Sequence, residues 1–371
     1  MTDAPASTPR FPCASCGGAL EYTPGADSLA CPWCGEINEM RPASPWEAAD
    51  ALKELDLEDA LSGALSAAEH ETARVVPCPS CGAEVGFDAD DIARACPWCA
   101  APLTTEPVSH DALRPRGVLP FLVEEKTAQA AMKSWLGSLW FAPSGLAKFA
   151  RAGRAMDGLY MPCWTFDAQA DTQYRGQRGD TYYETQTVPV RTEKGVRMET
   201  RQVPKIRWSA RAGRVRRAFD DVLRPATRAL EPGSFERLGG WDLEAMEPFD
   251  SRYLAGFRAE THSVPLDQGW SEAQQVMARV VERDIRFDIG GDRQKIDWMD
   301  MRLSDATFKH VLLPVWLAAY RYKGEVYRVA VNGRTGQVQG DRPWSWGKIA
   351  VAVLVGAVVA GGIGFLLAQK G

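Results

Sequence analysis

The chain has 371 residues, 45% of them hydrophobic and 25% charged. That balance excludes a disordered or low-complexity protein, and the length allows two or three domains. The formal charge of −5 hides an asymmetry: residues 1–110 carry 18 Asp and Glu against 5 Lys and Arg, while the remainder carries 30 against 38. A head this acidic is poorly suited to neutralising phosphates, so nucleic acid is not its expected partner.

Eight of the nine cysteines form two copies of C-x2-C-x14-C-x2-C, each ending in CPWC. The first copy is Cys13, Cys16, Cys31 and Cys34; the second is Cys78, Cys81, Cys96 and Cys99. Paired C-x2-C turns supply two thiolates each to a tetrahedral metal, so the spacing predicts two four-cysteine zinc ribbons, over residues 11–40 and 77–104. With four protein ligands, each Zn²⁺ has no open position and is expected to be structural. Gly17, Gly35 and Gly82 follow three of the four turns and supply the backbone freedom such turns need; Ala100 follows the fourth. The opening "MTDAPASTPRF" has neither a charged start nor an apolar run, so no signal peptide is expected and the thiols stay reduced in the cytosol.

Residues 41–76 read as an acidic helical linker. Ser44-Pro45-Trp46-Glu47 is a capping box with proline at the first helical position. Trp46, Ala49, Leu52, Leu57, Leu61 and Leu65 continue it as a loosely amphipathic helix to about Ala68, with Glu47, Asp50, Glu54 and Glu58 on a solvated face. Residues 104–117 read as a proline-containing linker.

Residues 113–342 read as a β-rich α+β domain. "RGVLPFLV" suggests a strand, and Thr127 a helix cap, with Met132, Trp135, Leu136 and Leu139 facing inward up to Trp140, where "WFAPSGL" breaks the helix. "TYYETQTVPVRT" and "VRMETRQVPKIRW" flank Glu193-Lys194-Gly195 as a long hairpin. Ser271 with Gln274 suggests the start of a helix that is apolar at Val276, Val280 and Ile285. "VYRVAVNGRTGQVQG" reads as strand, turn and strand. "LYMPCWTFDA" and "LLPVWLAAY" share an apolar pair followed by Pro-x-Trp, the mark of two core strands or of a duplicated β unit. Cys163, inside the first of these, is expected to be buried and inert.

Catalytic patterns are missing from the sequence. It has no G-x4-G-K-[ST], H-E-x-x-H or G-x-S-x-G, and His70, His110, His262 and His310 are scattered. Asp220-Asp221 beside Arg216-Arg217 reads as a surface ion-pair cluster. The expectation is a non-enzyme. Residues 201–228 hold nine basic side chains (Arg201, Lys205, Arg207, Arg211, Arg214, Arg216, Arg217, Arg224, Arg228) against Asp220 and Asp221. That stretch suits a solvated sheet face, anionic headgroups, or the acidic head of the same or another molecule.

Residues 349–368 are an uncharged run of 20, long enough as a helix to cross a bilayer. Trp344 and Trp346 precede it at headgroup level, and Lys348 and Lys370 bracket it. A transmembrane helix over 347–369 is therefore expected, acting as a tail anchor in the cytoplasmic (inner) membrane with the N-terminal region in the cytosol. Ala352, Gly356, Ala360, Gly364 and Ala368 recur every four residues, a small-residue ladder that suits pairing with a second copy or a partner helix.

Three stretches carry a resemblance: "WFAPSGLAKFARAGRAMDGLYMPCWTFDA", "YLAGFRAE" and "TFKHVLLPVWLAAYRYKGEVYRVAVNGRTGQVQGDRP". With the doubled ribbons and the terminal span, the chain resembles the bacterial TFIIB-type zinc-ribbon membrane proteins. Members are often labelled primosomal protein N′ or superfamily II helicase, a label at odds with the missing nucleotide-binding loop. The resemblance implies a role beside SPFH-domain or phage-shock-type membrane-stress proteins. The expected function is a non-catalytic, tail-anchored adaptor whose ribbons dock a soluble protein partner. The alternatives are a nucleic-acid-associated protein using residues 201–228, and an enzyme whose site in the α+β domain has no readable motif.

Overall fold

Two very long strands organise the molecule in the computed structural model, which describes residues 11–26, 28–41, 43–86, 95–103, 105–143, 156–192, 195–322 and 325–369. Glu193 and Lys194 of the expected hairpin turn, the end of the "WFAPSGL" helix break and Lys370 beyond the apolar run lie outside the described residues. In chain order the elements begin with β1 (Glu21–Tyr22), β2 (Ser28–Ala30) and β3 (Ile37–Glu39), then α1 (Pro45–Ala51), β4 (Leu55–Asp56) and α2 (Leu57–Ser62). Next come β5 (His70–Pro77), β6 (Glu84–Gly86), β7 (Val108–Leu113), β8 (Gly117–Val118) and α3 (Glu125–Ser138). The centre is built from β9 (Asp157–Thr192), β10 (Gly195–Phe219), β11 (Arg224–Pro225), α4 (Pro232–Leu238), β12 (Glu247–Pro248) and β13 (Arg258–Thr261). The chain closes with α5 (Leu266–Ile289), β14 (Arg293–Tyr322), β15 (Glu325–Asn332), β16 (Val338–Gly340) and α6 (Trp346–Gln369). The protein is mixed α+β with one large sheet.

β14 lies antiparallel to β9 from Leu317 opposite Asp157 to Arg293 opposite Gly179. The two Pro-x-Trp runs are the buried middle of this pair, with Leu312 opposite Pro162 and Pro314 opposite Tyr160. Burial on both faces explains their near-continuous apolar character. Cys163 lies there, fully buried, and desolvation raises its thiol pKa well above the ordinary value. β10 pairs with β9 along its whole length, from Gly195 opposite Thr192 to Phe219 opposite Ala168, so the expected hairpin is present and far longer than its sequence signature. The strand–turn–strand close is also present: β15 and β16 pair, and the Gly336 amide donates to the Asn332 carbonyl at 2.9 Å.

Several expectations are corrected. The 41–76 segment is not one helix. α1 has the expected capping box but stops at Ala51, β4 pairs with Thr307 and Phe308 of β14, and α2 starts anew from an Asp56 cap. Pairing with the central sheet outweighs continued helix, and Trp46 is left exposed. Residues 104–117 are not merely a linker, because β7 pairs with β5, His70 opposite Leu113 through Val75 opposite Val108. β8 is only a two-residue strand. α3 starts before Thr127, from Glu124. α5 starts at Leu266, behind Pro265, rather than at Ser271, and it buries Ala273, Met277, Val281, Ile285 and Ile289, a stripe one position beyond Val276 and Val280. Gly269 in this helix lies against Trp164, where an added Cβ would come within 2.6 Å of Cδ1; the glycine is what lets the helix approach the strand.

α6 is the one described helix long and apolar enough to cross a membrane; Trp346–Gly364 has a mean hydropathy of 2.0 and none of it is buried in the protein. Its base is tied to the body where the Ser345 amide donates to the Phe141 carbonyl and Lys348 Nζ donates to the Ala142 carbonyl.

Candidate metal centres and their surroundings

All four cysteine turns share one backbone pattern. The Cys13, Cys31, Cys78 and Cys96 amides donate to the carbonyls of Gly18, Glu36, Ala83 and Ala101, and the amides of Gly17, Gly35, Gly82 and Ala100 donate back to those same cysteines' carbonyls. The return bond needs a left-handed residue, and the φ values are +74°, +77° and +75° for the glycines and +56° for Ala100. The turns bring the sulfurs together: Cys13 to Cys34 is 3.6 Å, Cys16 to Cys31 is 3.5 Å, and both Cys78 to Cys99 and Cys81 to Cys96 are 3.6 Å. A tetrahedron with metal–sulfur bonds of about 2.3 Å has edges of about 3.8 Å, so both clusters fit metal sites of the zinc type. All eight predicted ligands are thus placed in the expected two sets.

The second cysteine pair of each cluster opens on an equivalent low-pKa position. The amides of Cys34 and Trp33 act on Cys31 against burial and lower its pKa to about 7. Cys81, followed by the Cys99 and Trp98 amides, lowers Cys96 to about 5 despite burial. Other cysteines of the same clusters move the opposite way: against the Glu36 amide, Cys16 and Cys31 raise Cys34 to about 12, and Cys96 and burial raise Cys81.

The surroundings of the two clusters differ. In the second, Trp98 of CPWC is 3% exposed. Its Nε1 donates to Glu260 Oε2 at 2.9 Å, and Glu260 Oε1 accepts from Thr227 Oγ1 at 2.5 Å. Burial of this carboxyl raises its pKa to about 8. Cys78, Ala83, Val85, Cys96 and Trp98 share a core with Leu119, Leu159, Met161, Phe235 and Leu238 of the body. β6 pairs with β13, and β13 with β9, so this ribbon continues the central sheet. In the first, Trp33 of CPWC is 81% exposed, and the run from Pro32 to Ile37 is exposed throughout. This ribbon meets the body on its other side: Tyr22 stacks edge-on against Tyr253 at 5.2 Å and its amide donates to the Ala255 carbonyl. Leu20, Leu29 and Met40 join the same apolar cluster as Phe121, Tyr160 and Trp316.

Two clusters were not legible in the sequence. The histidines are scattered along the chain but His110, His262 and His310 form a row, with ring centroids 5.3 and 5.5 Å apart and Trp164 against the latter two. His310 Nδ1 donates to the Leu113 carbonyl at 2.7 Å, and the Leu113 amide donates to His262 Nε2 at 3.1 Å. Desolvation, with the neighbouring histidines, lowers His262 to about 3; burial lowers His310 to about 4. They are held neutral as packing groups. Glu54, Asp167 and Asp221 also converge, and Lys309 Nζ fills the gap at 2.9 Å from Glu54 and 3.1 Å from Asp221. Burial pushes Asp167 up to about 7 even though the Asp221 amide donates to it. The ion-pair cluster expected within 216–221 is therefore divided, for Arg216 pairs with Asp171 and Arg217 with Asp284.

Among the described residues, six of the nine basic residues in 201–228 have carboxylate partners. Arg201 meets Glu199, Lys205 meets Glu184, Arg214 and Arg216 share Asp171, Arg217 meets Asp284, and Arg224 bridges Glu236 and Glu272.

No protein-family model matches the chain, and no solved structure does. It is similar to a protein of Bacillus subtilis (strain 168) described as "Uncharacterized protein YdjG", 24% identical over 248 residues, which is 64% of this chain and 66% of that protein. The match thus spans just under two thirds of the relative's length.

Proposed function

We propose that the protein is a non-catalytic adaptor in which two Zn²⁺ ions hold an acidic ribbon head beside the membrane, anchored by α6 with the head in the cytosol, and that the first ribbon docks a soluble protein partner. The observation that carries this reading is the contrast between two equivalent tryptophans. Trp98 is spent on the body, whereas Trp33, with Ile37 between the exposed Glu36 and Glu39, is presented to solvent. Exposed tryptophans on a rigid turn are typical anchors for a partner, because little side-chain entropy is lost on docking.

The reading is non-catalytic because each four-cysteine site has every position taken by protein. A groove of about 580 Å³ beside Ala51, Pro115 and Phe249 is lined by charges that pair with each other, Arg116 with Glu69 at 2.7 Å and Arg114 with Glu71 at 3.8 Å. Internal pairing of the 201–228 arginines likewise favours a protein partner over nucleic acid, since phosphate binding would have to break those pairs. The resemblance to TFIIB-type zinc-ribbon membrane proteins makes an SPFH-domain or phage-shock-type protein the partner to look for first.

Recovery of partners from detergent-solubilised membranes tests this reading. Trp33→Ala is expected to lose the partner while keeping its metal, and Cys31→Ser combined with Cys96→Ser to lose both. Undiminished recovery with both variants would refute docking by the ribbon.

A further inference from the structure

The tail helix does not leave the body as a free stalk. From Pro343 to Gln369 the only charged side chain is Lys348, one residue before the uncharged run 349–368. Its Nζ donates to the Ala142 carbonyl at 2.8 Å, and the Ser345 amide donates to the Phe141 carbonyl at 2.7 Å. These bonds tie the turn that follows α3 to the first residues of α6.

That turn is unlike the rest of α3. The helix starts charged, with Glu124, Glu125 and Lys126, and Lys133 follows, but residues 134–143, SWLGSLWFAP, carry no charge. Met132 and Leu136 are buried in the body, with Trp135 and Leu139 packed against them, so the inward stripe is complete without Trp140. Trp140 is left 77% exposed, and across the tie Trp346 and Trp344 are 80% and 51% exposed. The Arg342 guanidinium lies over the Trp344 ring at 4.4 Å. Three indoles thus open to solvent at the place where the apolar helix joins the body.

Lys348 sets the depth of this place. An ammonium is excluded from hydrocarbon and reaches for the headgroup layer, so its hydrogen-bond partner marks that level. The layer is roughly 5–8 Å thick on each side of the hydrocarbon core. Trp140 is two residues from Ala142, at most about 7 Å along the chain, and so stays within the layer's thickness of that mark. Indole suits this layer, with a flat apolar ring and one N–H for headgroup oxygens. Arg342 and Lys348 beside the rings suit its phosphates. A soluble protein is disfavoured as the occupant, because it would have to displace headgroups to reach rings at this depth.

We infer that the uncharged segment at the end of α3, led by Trp140, rests in the headgroup layer beside the base of α6, so that the body touches the bilayer at a second point. The inference rests on the reading of α6 as a membrane anchor. A single helix on a loose joint would let the body swivel, whereas this second contact fixes which side of the body faces lipid. The far end is then held away from the surface. Ile289, at the end of α5, lies by Gly176, which pairs with Ile296 of β14. From there about 75 Å of strand runs to Tyr320, whose Oη donates to the Asp341 carbonyl near the anchor.

The test is photo-crosslinking of the purified full chain in vesicles of phosphatidylethanolamine and phosphatidylglycerol. The probe, p-benzoylphenylalanine, replaces Trp140, Val355 inside the span, or Phe287, which is 90% exposed beside Ile289 at the far end. Lipid adducts from positions 355 and 140, and little from position 287, are the expected results. An adduct from position 355 without one from position 140 would overturn the inference and leave the anchor standing. No adduct from position 355, whatever position 140 gives, would refute the anchor reading and the inference with it. Equal adducts from positions 140 and 287, or a covalent dimer in place of the lipid adduct at position 140, would also overturn the inference. An unchanged far-UV spectrum shows that the substituted chains are folded.

Discussion

The two ribbons have the same cysteine spacing, the same turn hydrogen bonds and the same CPWC, but the protein uses them differently. In the second, the tryptophan is a core residue, clamped to a buried Glu260 and continuous with the central sheet. In the first, the tryptophan stands in solvent while the opposite side of the ribbon packs on Tyr253. A motif that fixes a metal site fixes the local turn only; what surrounds it decides whether the module holds the fold together or offers a surface.

The sharpest way to break this comparison is to remove each tryptophan. Trp98→Ala opens a cavity in a shared core and strands the Glu260 carboxyl, so thermal unfolding in detergent is expected to show a loss of about 3–5 kcal/mol. Trp33→Ala is expected to stay within about 0.5 kcal/mol, as for an exposed site. Equal losses would mean that the ribbons are equivalent after all.

A pH-dependent effect follows from the histidine row that borders the second ribbon's sheet. His262 at about 3 and His310 at about 4 lie below the ordinary 6.5, so the folded protein keeps them neutral where the unfolded chain takes up protons. Unfolding free energy should therefore fall as pH drops from about 6.5 towards 4, by roughly 3 kcal/mol per fully shifted histidine. His262→Gln keeps an acceptor for the Leu113 amide and should flatten the slope between pH 6.5 and 5; an unchanged slope would remove the row from the account.

What the sequence revealed and what it hid divide along the same physical line. The two four-cysteine clusters, the hairpin, the strand–turn–strand close and the apolar terminal helix are set by local spacing or alternation, and all were legible. The break in the 41–76 helix was hidden because it depends on β4 finding Thr307, near the far end of the chain. β7 was hidden for the same reason: residues 108–113 look like a linker until His70–Val75 is beside them. The helix over 266–289 starts behind Pro265 rather than at the Ser271 signal, and its buried stripe runs through Met277 and Val281 to the expected Ile285, with Val276 and Val280 only half-buried beside it. Nothing local separates Trp33 from Trp98, since their partners lie elsewhere in the chain.

The central claim is that both four-cysteine clusters are metal centres, one buried in the body and one at the surface. Metal analysis of the full-length protein, purified in detergent without chelator, tests it most directly when followed by timed exposure to EDTA. Two Zn²⁺ per chain, with the first lost early from the ribbon whose Cys16 and Cys34 are exposed, is the expected result. A chain without zinc, or two ions released at one rate, would contradict it.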